Sequence, residues 1–140
     1  DTCRIVGKCN GNRIGIHVYV CFARHGYDGK LNCTVIQRSG DLLAAAASGG
    51  WDTIQYAVLV HMLAQVCDMQ VGEFVHVIAD AHIYDRHIPL VEEVIAKPQH
   101  KAPKLIVDPT ITNFYDFTVD SFQLVDYEYE KLDKKIPVAI

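Results

Sequence analysis

Apolar residues recur along this chain with two periods. Ile14 to Arg24 and Leu31 to Gln37 are rich in β-branched and aromatic residues, which predicts two strands. Gly26-Tyr27-Asp28-Gly29 lies between them and reads as a hairpin loop. Residues 3 to 9 form a further short strand candidate, and Asn10-Gly11-Asn12 is a turn signal. The period then changes. Ile54, Val58, Met62 and Val66 stand at helical spacing, which predicts a helix from Asp52 to about Cys67 buried along that stripe. Asp52-x-x-Gln55 has the form of a capping box at its start. Glu73 to Ala81 reads as a buried strand, and Asp85 to Lys97 as a helix stopped by Pro98. Lys104 to Val107 and Phe122 to Tyr129 are the last strands expected. Strands mixed with long helices indicate an α/β (α+β) domain on one curved mixed sheet.

The chain has 140 residues, which fits one domain over 1–140. Half of them are hydrophobic, enough for a substantial core. The formal net charge is −4 and no basic stripe occurs, which argues against nucleic-acid partners. No apolar run approaches the roughly 18 residues of a membrane span. The start, Asp1-Thr2-Cys3-Arg4, has no signal-peptide pattern and no initiator Met, so a processed chain or a fragment is expected. Five cysteines at 3, 9, 21, 33 and 67 include no Cys-x-x-Cys, which suits free thiols in a reducing, intracellular compartment. The seven histidines do not stand at ligand spacing with cysteine, and no metal is expected.

Candidate chemistry gathers in a few segments. His82-Ile83-Tyr84 places an imidazole and a phenol two residues apart at a strand end, where both project from one edge. Such a pair suits a sugar hydroxyl, and equally a structural hydrogen-bonded pair. Gln37-Arg38-Ser39-Gly40-Asp41 closes an apolar strand. The run from Tyr56 to Glu73, the segment from Asn113 to Phe122 and the ending Ile136-Pro137-Val138-Ala139-Ile140 complete the set.

In this order and at these distances the set resembles the C-terminal half of the thymidylate synthase family. The resemblance runs from Asp28 to Ile140 and is looser from Arg4 to Asn10. It implies one-carbon transfer to C5 of a pyrimidine deoxynucleotide, dUMP or dCMP, with methylenetetrahydrofolate as cofactor. A thiolate adds to C6 and makes C5 nucleophilic. By the same resemblance Arg38 and Ser39 hold the phosphate, with the guanidinium fork gripping a dianion. His82 and Tyr84 hold the sugar 3′-hydroxyl. Asp41 orders the pyrimidine and folate region, or is a turn aspartate. Asp52 stands where the family has an asparagine that pairs with the uracil edge. A carboxylate there accepts from the cytosine amino group, as in the related deoxycytidylate hydroxymethylases. A plain helix N-cap satisfies the same residue. The family also packs one sheet face against a partner subunit. Val18, Val20, Val35 and the neighbourhood of Cys21 and Cys33 supply strands apolar on both faces, as such an interface needs.

The resemblance fails at the nucleophile. The family's Pro-Pro-Cys-His falls on Ile14-Gly15-Ile16-His17, so the cysteine becomes Ile16. Cys21 is five residues further along the same strand, roughly 16 Å at strand rise, and is a poor replacement. The paired interface arginines fall near Thr2-Cys3, with Arg4 as a substitute, and the loop before Asp52 has become alanine-rich. The family's N-terminal half, with its glutamate and folate-stacking tryptophans, has no counterpart in these residues. The expectation is a degenerate domain that is catalytically inactive, a structural or interaction subunit with residual nucleotide binding. The alternative is an active synthase or hydroxymethylase whose other half is missing from this chain.

Overall fold

The structure, a computed structural model, describes residues 3–6, 18–25, 28–43, 50–132 and 134–136, with side chains from residue 28 onward. Its elements are β1 (Cys3–Val6), β2 (Val18–His25), β3 (Lys30–Asp41), α1 (Trp51–Val66), β4 (Gln70–His82), α2 (Ile88–Ala96), β5 (Lys104–Val107) and β6 (Phe122–Val125). β1 to β4 form one sheet in sequence order, and β5 pairs with β6 in a second, two-stranded sheet. β2 runs antiparallel to both β1 and β3, while β3 and β4 are parallel and joined through α1. A parallel pair needs such a crossover, so the helix follows from the topology.

The alternation along β3 decides where the core lies. Leu31, Cys33, Val35 and Gln37 point inward and are buried, Val35 and Gln37 completely. α1 covers this face. Val60 and Ala64 meet Leu31, Cys33 and Val35, and Tyr56, Leu59, Leu63, Met69 and Phe74 close the cluster. Burying one such valine or leucine contributes about 1.5–3 kcal/mol.

The buried side of α1 differs from the stripe read in the sequence. Ile54 is 60 % exposed. Ile54, Val58 and His61 instead line an apolar groove against Leu105, Phe122 and Leu124. The helix is apolar around most of its circumference, so spacing alone does not choose a face. The sheet chose Tyr56, Val60 and Ala64. The capping box also does not form. Gly50 caps the helix at φ 55°, without a side-chain cap. At the other end Met69 N–H donates to Ala64 O (2.8 Å), and Gln65 Nε2 donates to the carbonyls of Asp108 and Ile111 (both 2.8 Å), fastening the loop after β5.

β3 and β4 are out of step once. Leu31 pairs with Val71 but Cys33 with Phe74, leaving a bulge at Gly72. Asn32 Oδ1 accepts from Glu73 N–H across it (2.7 Å). A Cβ on Gly72 would lie 2.1 Å from Asn32 Oδ1 and 2.9 Å from Leu31 O, so glycine is required there. The remaining strands and helices fall close to the sequence expectation. β4 starts earlier than read, and β6 ends at Val125, where Asp126 turns to φ 59°.

Candidate functional site

The C-terminal ends of β3 and β4 lie side by side. Ser39 is the Cα partner of Asp80, and Asp41 that of His82. The parallel pairing therefore brings together two segments about forty residues apart in sequence, and α1 starts beside them. In open α/β sheets ligands bind at this end of the strands.

Gln37 organises the inner side. Its Nε2 donates to Ser39 O (2.8 Å) and to Asp52 Oδ2 (2.9 Å). Its Oε1 bonds His76 Nε2 (2.9 Å), and His76 Nδ1 bonds Thr53 Oγ1 (2.9 Å). Asp52 is thus not the N-cap of α1. It stands in the first helical turn, where a carboxylate is favoured by the helix dipole, and is tied to β3 through Gln37. Tyr56, one turn on, has its phenol pKa raised, by burial first and then by the negative charge of Asp52.

At the strand ends, Ser39 Oγ donates to Asp80 Oδ2 (3.0 Å). His82 Nδ1 lies 3.6 Å from the same Asp80 oxygen and 3.3 Å from the Asp80 carbonyl. The rings of His82 and Tyr84 meet edge to face with centroids 5.2 Å apart. Tyr84, 41 % exposed, lies just past β4 and packs edge-on against His87 at 5.5 Å. His87 is 2 % exposed, and its Nδ1 stands 3.6 Å from Asp41 Oδ2. Asp41 Oδ1 accepts from Leu43 N–H (3.0 Å), so it serves as a turn residue and as a neighbour of His87 together. Arg38 is exposed and alternates away from Gln37, toward the sheet face that none of the described elements covers.

The structure therefore brings Ser39, Asp41, Asp52, His82 and Tyr84 together at one end of the sheet, and leaves Arg38 at that end but on the opposite face. Cys21 is not there. Its backbone pairs with Thr34, four residues before Arg38 on β3, or about 13 Å at strand rise. Its side chain lies outside the described residues, as do Ile14 to His17, the alanine-rich loop 44–49 and the ending 137–140. Among the described residues no group of three or more potential ligands could hold a metal. None of their helices is long and apolar enough to cross a membrane.

Beside this cluster opens a cleft of about 720 Å³, with Leu43, Trp51, Pro98, Tyr127, Tyr129 and Ile136 among its walls. Tyr127 and Tyr129 stack at 5.4 Å. On its rim His100 lies between Glu128 (3.2 Å) and Glu130 (3.4 Å). Flat aromatic walls suit a planar ring system.

Gln37, His76, Asp80 and His87 were not read as site residues from the sequence. A signal for two of them was present. Gln37 interrupts the inward stripe of Leu31, Cys33 and Val35, and His76 interrupts that of Phe74 and Ile78. Polar residues at inward positions call for partners, and here they partner each other.

The thymidylate synthase family profile matches residues 12–140. A thymidylate synthase from Clostridium beijerinckii is 46 % identical over 106 residues, which cover 74 % of this chain and 39 % of that protein. One from Leuconostoc mesenteroides is 38 % identical over 113 residues, covering 81 % and 34 %. The solved structure of thermostable thymidylate synthase A from Bacillus subtilis superposes with a TM-score of 0.76 at 34 % identity, covering 88 % of this chain and 43 % of that one. The chain spans less than half the length of these relatives, and β2 to β6, the crossover helix and the strand-end cluster lie within the residues that the family profile matches. It belongs to the thymidylate synthase family.

Proposed function

We propose that residues 1–140 form one domain that supplies the nucleotide-binding part of a thymidylate-synthase-type site and binds a pyrimidine deoxynucleotide monophosphate. The observation behind this reading is the gathering of Ser39, Asp41, Asp52, His82 and Tyr84 at the ends of two parallel strands, with Arg38 at the same strand end on the outer face. Arg38 and Ser39 take the phosphate. Ser39 must then release Asp80, whose carboxylate would repel the dianion unless His82 pairs with it. His82 and Tyr84 take the sugar hydroxyl. Asp52, an acceptor held by Gln37, accepts from the cytosine amino group of dCMP, where the O4 acceptor of uracil would be repelled.

The chain alone does not turn the nucleotide over. Ile16 stands where the family places its nucleophile, and an aliphatic side chain cannot add to C6. The domain then acts as a structural or interaction subunit. A protein partner, a second copy or a larger assembly, covers the outer sheet face. Cys67 is an exposed free thiol, which suits an intracellular, reducing compartment.

A second reading rests on the length of the relatives. Joined to the rest of the family fold, the same site would serve an active transferase of dUMP or dCMP. Methylenetetrahydrofolate would then supply the one-carbon unit. The cleft beside Asp52 fits it in character, with Trp51, Tyr127 and Tyr129 as flat walls and Leu43 and Ile136 as apolar floor.

Equilibrium dialysis with labelled dCMP and dUMP tests the binding. Saturable binding is expected, with the unphosphorylated nucleosides at least about tenfold weaker because charge-assisted bonds to phosphate are lost. Equal binding of nucleotide and nucleoside would remove Arg38 and Ser39 from the role. Tritium release from 5-tritiated dCMP and dUMP, with methylenetetrahydrofolate, tests the chemistry. No release above the blank is expected, and release abolished by Cys21→Ala would make Cys21 the nucleophile.

A further inference from the structure

Gln37 is fully buried, yet its amide points at two acceptors, the Ser39 carbonyl and the Asp52 carboxylate. Only the nitrogen of an amide can face both. Its orientation is therefore fixed by chemistry. Oε1 must face His76 Nε2, which must then carry a proton. In the neutral ring Nδ1 is left as the acceptor, and the Thr53 hydroxyl donates to it. One directional chain results, running from Thr53 through His76 and Gln37 to Asp52.

The chain ends with one oxygen of Asp52 engaged and the other, Oδ1, taking no hydrogen bond from the described residues. Asp52 is thereby presented as a single, oriented acceptor. A carboxylate free to rotate would offer either oxygen in many poses and discriminate poorly. A buried, fully bonded glutamine is ordinary core structure by itself. What goes further here is its target. Gln37 leaves the sheet to grip a helix residue, and its second donor pins the strand end beside Arg38 and Ser39.

We infer that His76, acting through Gln37, is a positioning residue that fixes the Asp52 carboxylate and so sets the preference between the cytosine and uracil edges. This rests on the reading of Asp52 as the base-recognising residue, but its first consequence needs no ligand. If His76 were protonated on Nδ1 alone, its bare Nε2 would face Gln37 Oε1. The amide would then turn over and aim its oxygen at two other acceptors. The Nε2–H form is thus required.

Two measurements on the purified chain test it. The first is ligand-free NMR at mildly alkaline pH. Nitrogen shifts should identify His76 as the Nε2–H tautomer, and side-chain couplings should give Asp52 a single χ1 rotamer. In His76→Phe that rotamer should become averaged. His76→Gln, which keeps a donor and an acceptor, should restore it. An Nδ1–H tautomer, or an Asp52 rotamer unmoved in a folded His76→Phe variant, overturns the inference. If His76→Phe does not fold, Thr53→Val tests the same chain, since it removes only the donor to Nδ1. Its tautomer ratio should shift, and an unchanged ratio counts against the proposal.

The second measurement is titration with dCMP and with dUMP, followed by the fluorescence of Trp51. It is the sole tryptophan, 72 % exposed and adjacent to Asp52. The dCMP-to-dUMP affinity ratio should fall about tenfold in His76→Phe, the worth of one hydrogen bond to a charged group. It should recover in His76→Gln. A ratio unchanged in both variants overturns the positioning role. Failure of the wild-type chain to bind either nucleotide sinks the nucleotide reading instead and leaves the NMR result to decide the inference.

Discussion

The two faces of the β3–β4 pair are built from similar residues and end up in different states. On the inner face Cys33, Val35 and Gln37 are at most 1 % exposed under α1. On the outer face Ile36, Val75 and Val77 are between 40 % and 45 % exposed. Strands apolar on both faces are built to be covered twice. The inner cover is part of this chain, and it allowed a polar network to be buried safely, because α1 supplies Asp52 and Thr53 as partners. The outer face has no such cover among the described residues, and Arg38 stands on it beside the candidate phosphate site. The apolar residues of β3 and β4 are thus divided between the two faces. Cys33 and Val35 belong to the covered face, and Ile36, Val75 and Val77 are the side chains a partner would meet.

The comparison breaks most sharply with one charge placed on either side. Val35→Asp should abolish the cooperative unfolding transition, since an unpaired buried carboxylate costs several kcal/mol. Val77→Asp, on the neighbouring strand one register position along and on the outer face, should leave circular dichroism unchanged and cost under about 1 kcal/mol. Equal losses would mean that the outer face is as enclosed as the inner one. Gly72→Ala comes next. Its Cβ clashes with Leu31 O and Asn32 Oδ1, and the bulge should lose about 1–3 kcal/mol in denaturant unfolding.

A smaller effect on folding and a larger one on assembly is expected on the outer face. Ile36→Lys together with Val77→Lys should turn a self-associating chain into a monomer in sedimentation, with the fold kept. A wild-type chain that is already monomeric at micromolar concentration would show that this face needs a different partner or none.

The smallest effect is a pH dependence from the groove side of α1. Burial of His61 disfavours its imidazolium and holds its pKa below the usual 6.5. The unfolded chain therefore takes up this proton first. Stability falls as pH drops from about 6.5 to the lowered folded value and is flat below it for this group. His61→Gln should remove that part of the acid sensitivity below about pH 6.5 in thermal melts. An unchanged slope would mean that His61 is solvated.

Much of this was legible in the sequence because it is local. A run of β-branched and aromatic residues gave β3, the Pro98 stop gave the end of α2, and the motif order gave the family. The inward side of α1 was not legible, since Ile54, Val58, Val60 and Ala64 are all apolar and only the sheet distinguishes them. Asp52 was ambiguous for a related reason. An aspartate before a helix looks like a cap, and its partner Gln37 lies fifteen residues away on another element. Asp80 and His87 were missed because their roles depend on the parallel register and on a turn after β4.

The central claim is that the strand-end cluster binds a pyrimidine nucleotide through its phosphate. Its most direct test is the dissociation constant for dCMP and dUMP of the wild-type chain and of Arg38→Ala. The side chain of Arg38 is exposed, so its loss should leave the fold intact. The account predicts saturable binding that weakens about tenfold or more in Arg38→Ala, with an unchanged melting temperature. No saturable binding at millimolar nucleotide, or an affinity indifferent to Arg38, would contradict it.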